Sequence, residues 1–463
     1  MAKKSKIRVR IAPSPTGVLH IGTVRTALFN YLFAKKHKGH FILRIEDTDK
    51  ERSKKEFEED ILENLKWLGI EWDEIYRQSQ RRDLYSEYLE RLLNDGKAYK
   101  DEIIWFKNPN KKVVFNDLIR GEVEFDSSVF GDFSLAKDMK SALYNLAVVV
   151  DDYEMGITHV IRGEDHISNT PKQILIYEAL GLPVPQFAHL PLILGPDKSK
   201  LSKRHGAVSV GEYRSDGYLA DALINFVSLL GWSPQGVDSP EKEVFSLKEL
   251  IDKFSLDKVQ KGGAVFNIDK LDWFNSIYIK EKDIGELTDL SIPYLIDSDL
   301  IRPEFDMEQD PPAYGGYFLK QEYVVSETGD KIGVDKIKKI VGLEQGRIKK
   351  LSEISDAVRF FFVEPEYSWD LLKWKDMDKE EIGRFLDEAE AVLCDVKDSR
   401  FDEKNLEKKL LKKANEFKDR GKLLWPLRVA LSGRKKSPGP FEIASVLGKK
   451  ECLKRINKAK SLL

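Results

Sequence analysis

The sequence predicts a doubly wound α/β domain of Rossmann type, interrupted by an insertion and followed by a mostly α-helical C-terminal half. Three observations carry this. A strand, a turn-rich loop, a helix and a second strand open the chain; short apolar runs then alternate with helical spacing; and strand period nearly vanishes beyond Gly211.

Ile7, Val9 and Ile11 alternate with Arg8 and Arg10, which is strand period, and the run stops at Pro13-Ser14-Pro15-Thr16-Gly17. Val24, Ala27, Leu28, Tyr31 and Leu32 fall at helical spacing, so a helix starts near His20-Ile21-Gly22-Thr23. A second strand, Phe41 to Ile45, ends in the acidic cluster Glu46-Asp47-Thr48-Asp49. Amphipathic helices follow around Phe57 to Leu68 and Leu84 to Leu92. Val148-Val149-Val150 and Val160-Ile161 read as short buried strands, followed by a helix Lys172 to Leu180 and a strand Leu190 to Leu194. Between Tyr99 and Leu143 the pattern breaks into pieces such as Val113-Val114-Phe115 and Val123-Glu124-Phe125, an insertion between two half-sheets. In such a sheet, functional residues are expected at the carboxyl ends of the strands.

At 463 residues the chain is too long for one core and predicts several domains. A hydrophobic content of 41% with 33% charged residues argues against wholesale disorder and against membrane residence. No apolar run approaches the roughly 20 residues of a spanning helix, and no signal-like segment precedes the first strand, so the expected location is the cytoplasm. With only Cys394 and Cys452, neither a disulfide framework nor a four-cysteine zinc site can be built, and no metal site is expected. Net charge is −2, yet Phe401 to Leu463 carries 18 Lys and Arg against 7 Asp and Glu, a basic module on an acidic body.

The loop–helix junction bears the first chemical signal. A glycine-containing turn delivering the chain into a helix presents free N–H groups and a positive dipole end, which suit phosphate. Gly17 and Gly22 permit close backbone approach, His20 sits ahead of the helix as a donor, and Thr23 is placed to cap it. The second signal is the cationic loop Asp197-Lys198-Ser199-Lys200-Leu201-Ser202-Lys203-Arg204-His205-Gly206, directly after a predicted buried strand. Such a loop can clamp phosphates as charge develops. Taken singly, each is also an ordinary surface feature; together they point to nucleotide chemistry.

Pro13 to Thr23 resembles the His-x-Gly-His signature of class I aminoacyl-tRNA synthetases with the last histidine replaced, and Lys200-Leu201-Ser202-Lys203-Arg204 resembles their Lys-Met-Ser-Lys-Ser signature. Arg10-Ile11-Ala12, Arg44-Ile45-Glu46-Asp47-Thr48-Asp49, Tyr144 to Asp152, Ile161 to His166 and Pro426 to Gly433 are similar to the glutamyl-tRNA synthetase family, bacterial type, from residue 7 to about 460. The resemblance implies a catalytic domain in two halves, 1–99 and 144–210, around an acceptor-end insertion at 100–143. A helical stem-contact region at 211–300 and an anticodon-binding region at 301–463 would follow. It implies ATP-dependent attachment of L-glutamate to the 3′ end of tRNA(Glu) by a cytoplasmic monomer using Mg2+ and no zinc, and leaves open whether tRNA(Gln) is charged as well.

By the same resemblance Arg10, Ala12, Ser14, Glu46, Tyr144, Val148 and Arg162 surround the amino acid. Pro13, Thr16, Gly17, His20, Gly22, Thr23, Lys200, Ser202, Lys203 and Arg204 hold ATP, with His20, Gly22 and Lys203 assisting the chemistry. The residue types fit: glutamate brings two carboxylates and an ammonium, and the set offers two guanidiniums and one carboxylate. Which arginine takes the side-chain carboxylate stays open, and Arg10 and Arg162 could instead pair with neighbours such as Asp47 or Glu164. Trp369, Trp374 and Trp425 could stack on anticodon bases, although helical core is the commoner place for them. Arg347 resembles a residue that reads the third anticodon base.

The sequence departs from the family in two places. Several dozen residues usual after Tyr99 are missing, so the insertion is shortened, and its contact with the acceptor end is expected to be either altered or supplied elsewhere. Lys140-Ser141-Ala142-Leu143 replaces a Gly-x-Pro-Thr segment, which predicts a less rigid substrate loop. Competing expectations are a glutamyl transferase acting on a modified tRNA base, a glutaminyl-tRNA synthetase, and a silent paralogue that only binds RNA.

Overall fold

The computed structural model describes residues 6–202, 204, 206, 209–234, 242–304 and 322–463. The chain divides into two compact units, Met1–Phe274 and Asn275–Leu463.

The first unit opens as its alternation predicts. β1 (Arg8–Ile11), α1 (Ile21–Lys36), β2 (His40–Ile45), α2 (Lys55–Trp67), β3 (Glu74–Arg77) and α3 (Arg82–Asn94) follow in order. The three strands form a parallel sheet in register Val9↔Phe41 and Leu43↔Ile75. Val24, Ala27, Leu28 and Leu32 of α1 are fully buried, as their spacing requires.

The insertion supplies β4 (Ala98–Lys100), β5 (Ile104–Phe106), β6 (Lys112–Asp117), β7 (Gly121–Asp126) and β8 (Phe133–Ala136). Then come α4 (Tyr144–Glu154), β9 (His159–Gly163), α5 (Thr170–Ala179) and β10 (Gln186–Leu190). The second sheet has the order β7-β6-β10-β9, with β9 and β10 parallel and β6 and β7 an antiparallel hairpin. Thr158, just ahead of β9, donates its N–H to the Arg8 carbonyl at 2.9 Å and accepts the Arg8 N–H on its hydroxyl at 3.0 Å. The two sheets therefore meet at β1 and β9, the point where strand order reverses and where open α/β sheets form their clefts.

Two readings of the sequence are corrected. Val148, Val149 and Val150 lie inside α4, not in a strand; the helix is buried on both sides, and a short apolar run cannot distinguish the two. The stretch Leu190 to Leu194 is not one strand: β10 ends at Leu190 and a two-residue strand resumes at Ile193–Leu194. The segment before Tyr144 makes hydrogen bonds to the rest of the unit. Leu143 N–H donates to Leu135 O at 2.7 Å, Lys137 N–H to Ser141 O at 2.9 Å, and Ser86 Oγ to Met139 O at 2.5 Å.

The insertion does not form a core of its own. Ile104, Phe106, Val113, Phe133 and Leu135 pack in one buried cluster with Leu146, Val149, Leu175 and Phe187, so removing it would open the second half-sheet to water.

The second unit is mostly helical. Lys379–Cys394, Glu403–Ala414, Gly421–Ser432, Pro440–Leu447 and Lys449–Ser461 surround a core that includes Leu386, Leu393, Leu410, Leu427 and Ile456. A three-stranded antiparallel sheet of Ile301–Pro303, Tyr323–Val325 and Lys331–Ile332 escaped the sequence reading because such short strands show no period. Trp369, Trp374 and Trp425 pack against the core; the last two rings lie 5.2 Å apart, their Nε1 atoms donating to Asp419 at 3.1 Å and Leu371 O at 2.9 Å. Arg347 pairs with Glu344 at 3.2 Å and donates to Ser437 O at 2.8 Å. Among the described residues no helix is long and apolar enough to cross a membrane.

Candidate active site

The chain leaves β1 at Ile11, turns through Pro13 to Gly17, and enters α1 with His20 as N-cap. The His20 ring caps through Nδ1, accepting the Gly22 N–H at 3.3 Å, so the cap is His20 and not Thr23. Glu46 N–H donates to Pro13 O at 3.0 Å and Val210 N–H to Leu19 O at 2.9 Å, which ties the end of β2 and the far end of the cationic loop to this junction.

A cavity of about 490 Å3 opens there, at the carboxyl ends of β1, β2, β9 and β10, in the size range of small-molecule sites. Arg10, Ala12, Ser14, Glu46, Tyr144 and Arg162 line it, as do Pro13, His20, Gly22, Thr23 and Lys200. Val148, Thr16, Gly17, Ser202 and Arg204 are not on its wall. Val148 is buried within α4, and Arg204 is engaged with Asp197 at 3.1 Å and Ser199 at 2.5 Å. Lys203 lies outside the described residues.

The floor of the cavity is a buried charge network. Asp152 of α4 accepts from Arg10 Nε at 3.0 Å and Nη2 at 3.3 Å, and from Arg44 Nη1 at 2.6 Å; Arg44 Nη2 reaches Glu46 at 3.0 Å. The neighbouring Asp151 accepts from Gln78 at 2.9 Å, Arg81 at 2.6 Å and Tyr85 at 2.9 Å, and shares Arg44 with Asp152 through a longer pairing to Nε at 3.7 Å. Burial pushes the Asp152 carboxyl up, but the charges of Arg10 and Arg44 outweigh it and hold the group below its usual range. Burial raises Glu46, against the pull of Arg44 and Arg10. Arg10 thus pairs with Asp152 rather than Asp47, which accepts from Ser79 N and Oγ at 2.7 and 2.5 Å.

Arg162 does not pair with Glu164 either. Glu164 is bound to Arg120 and takes the Leu192 N–H at 2.7 Å, while Arg162 donates to His189 at 3.2 Å and Thr170 at 2.8 Å. Its Nη1 is buried with no hydrogen-bond partner, and burial lowers its pKa. An orphaned guanidinium nitrogen on a cavity wall is a demand for an anion. Tyr144 hydroxyl and His166 Nδ1 lie 2.9 Å apart at the rim; burial, followed by the Arg162 charge, takes His166 down to about 4, so it is neutral at pH 7.

Sequence reasoning missed Arg25. One turn beyond Gly22 on α1 and 2% exposed, it lines the cavity, and its Nε and Nη2 have no partner. Burial takes its pKa down to about 10 against the attraction of Glu164. The available signal was an arginine at i+3 from Gly22 in a helix otherwise uncharged from Ile21 to Ala34. Arg25→Met should raise the thermal midpoint of the free protein by a few degrees, since an unsatisfied buried donor costs about 1–3 kcal/mol; a lowered midpoint would show the cation to be satisfied.

Residues 6–104 and 101–273 match the family model for tRNA synthetases class I (E and Q), catalytic domain, and residues 301–460 match an anticodon binding domain. The chain belongs to the class I glutamate and glutamine tRNA synthetases. It is 43% identical to a "Glutamate--tRNA ligase" of Aquifex aeolicus, over 98% of each chain, and 41% identical to "Glutamate--tRNA ligase 2" of Thermoanaerobacter pseudethanolicus, again over 98% of each. Among solved structures, a glutamate tRNA ligase from Elizabethkingia meningosepticum in complex with its amino acid superposes with TM-score 0.83 at 31% identity, covering 99% of this synthetase and 100% of that chain. The alignment with the Thermoanaerobacter relative runs over 504 positions against 463 residues here, so this synthetase lacks residues that relative carries.

Proposed function

We propose that this synthetase attaches L-glutamate to tRNA(Glu) in two steps. The glutamate α-carboxylate attacks the α-phosphate of ATP, releasing pyrophosphate and forming glutamyl-adenylate; the terminal ribose hydroxyl of the tRNA then attacks the acyl carbon and releases AMP. The observation that carries this is the unpartnered Arg162 Nη1 beside Glu46 in one cavity: a cationic donor for a carboxylate and an anion for an ammonium.

Arg162 takes a glutamate carboxylate, Glu46 the ammonium, and Ala12, Ser14 and Tyr144 complete the amino-acid side. Arg10, already forked onto Asp152, adds charge at close range. His20, Gly22 and Thr23 present the start of α1 to the nucleotide, with Pro13 and Lys200 alongside and Lys203 carried over from the family signature for the pyrophosphate. Mg2+ bound with ATP would offset the charge of its phosphates. No protein nucleophile is needed, so the rate comes from positioning and charge stabilisation. The match of residues 301–460 to an anticodon domain favours charging of a whole tRNA over transfer to a modified base.

Pyrophosphate exchange with glutamate and with glutamine, each with and without tRNA, followed by charging of tRNA(Glu) and tRNA(Gln), tests the reading. Exchange with glutamate and charging of tRNA(Glu) are expected. Exchange with neither amino acid under any condition would sink it.

A further inference from the structure

Asp117 ends β6, in the insertion, yet its side chain is fully buried and belongs to the second half-sheet. Oδ1 accepts the N–H groups of Ile119 at 2.9 Å and Arg120 at 2.8 Å, closing the turn into β7. Oδ2 accepts the His189 N–H at 3.1 Å and faces His189 Nδ1 at 2.6 Å. An ionised carboxylate only accepts, so the imidazole proton sits on Nδ1 and Nε2 is an acceptor. Arg162 Nε donates to that Nε2 at 3.2 Å, and Arg162 Nη2 donates to Thr170 Oγ1, itself 3.0 Å from the same Nε2. His189 and Asp117 are both enclosed, so no water competes for these bonds.

We propose that Asp117 and His189 are positioning residues for Arg162, so that the turn of the insertion hairpin is part of the amino-acid site. Two of the three guanidinium nitrogens are held by this relay, which leaves Nη1 as the one for the ligand. The chain of contacts runs from β6 through β10 to β9, three neighbouring strands, so a shift of the hairpin reaches the glutamate site without crossing any loop. The inference rests on Arg162 binding a glutamate carboxylate.

The test is glutamate binding to the full chain by calorimetry, with KM for glutamate and for ATP from pyrophosphate exchange, in wild type, His189→Asn and His189→Gln. Glutamine can reach Arg162 Nε with an acceptor oxygen; asparagine, one bond shorter, cannot. His189→Asn should weaken glutamate binding about ten- to hundredfold, the scale of one hydrogen bond to a charged group, and leave KM for ATP within about threefold; His189→Gln should recover most of the loss. Unchanged glutamate affinity in His189→Asn would overturn the relay. So would an equal loss for glutamate and ATP in both variants with lowered melting temperatures, the mark of general damage. Failure of the wild type itself to bind or activate glutamate would instead strike the proposed function, and is read before any variant is made.

Discussion

Arg162→Ala should lower kcat/KM for glutamate in pyrophosphate exchange by about a hundred- to a thousandfold, with KM for ATP nearly unchanged. The substitution leaves a buried ligand carboxylate without its partner, and truncating one member of a desolvated hydrogen-bonded charge pair costs about 2–5 kcal/mol. Arg162→Lys should not rescue, because an ammonium on a flexible stem cannot reach His189, Thr170 and the ligand at once, as the planar fork does. Because the substitution also removes the buried hydrogen bonds to His189 and Thr170, the melting temperature of the variant is measured beside its kinetics. A variant with wild-type glutamate kinetics would remove Arg162 from the site.

Asp152→Ala should be the most destabilising single change in the first unit. It strips the shared carboxylate from Arg10 and Arg44, both buried, and leaves two guanidiniums facing each other with only Glu46 and Asp151 nearby. Breaking a buried pair from one side costs about 3–5 kcal/mol, which urea denaturation at pH 7 would detect as a lowered midpoint. The pH dependence has a definite sign. The Asp152 pKa is held below its usual value in the folded state, so its stabilisation is fully present above the unfolded value near 3.8 and is lost as pH falls through the lower folded one. The gap between wild type and variant should therefore stay constant from pH 7 to about pH 5 and shrink below about pH 4. A gap that persists undiminished at pH 3 would mean that Asp152 acts through packing rather than charge.

Much of the first unit was legible from its punctuation: the Pro-Ser-Pro-Thr-Gly turn ends β1, the acidic cluster from Glu46 ends β2, and α1, though buried almost all round, is a 16-residue element too long for a strand. α4 was not, since a helix enclosed on both sides shows no amphipathic stripe and its valines imitate a strand. At the cavity, residues close to the loop–helix junction were legible from their motif, as Arg10, His20 and Glu46 illustrate. Partners were not: Arg10 meets Asp152 across 142 positions of chain, and His189 meets Asp117 across 72. Such pairings depend on which strands become neighbours, and local pattern is silent on that. Arg25 was passed over for another reason, because a lone arginine on a helix is usually at the surface and only burial makes it informative.

The two adjacent aspartates of α4 have a consequence for Tyr144, two turns earlier on the same helix. Successive residues of an α-helix are about 100° apart around the axis, so Asp151, held by Gln78, Arg81 and Tyr85, and Asp152, held by Arg10 and Arg44, fix the azimuth of the whole helix as two bolts at unequal angles fix a shaft. Tyr144 at its first turn inherits that setting. Behind the segment Lys140-Ser141-Ala142-Leu143, Tyr144 therefore takes its direction from the far end of the helix, where the torque is borne by carboxylates that do not line the cavity.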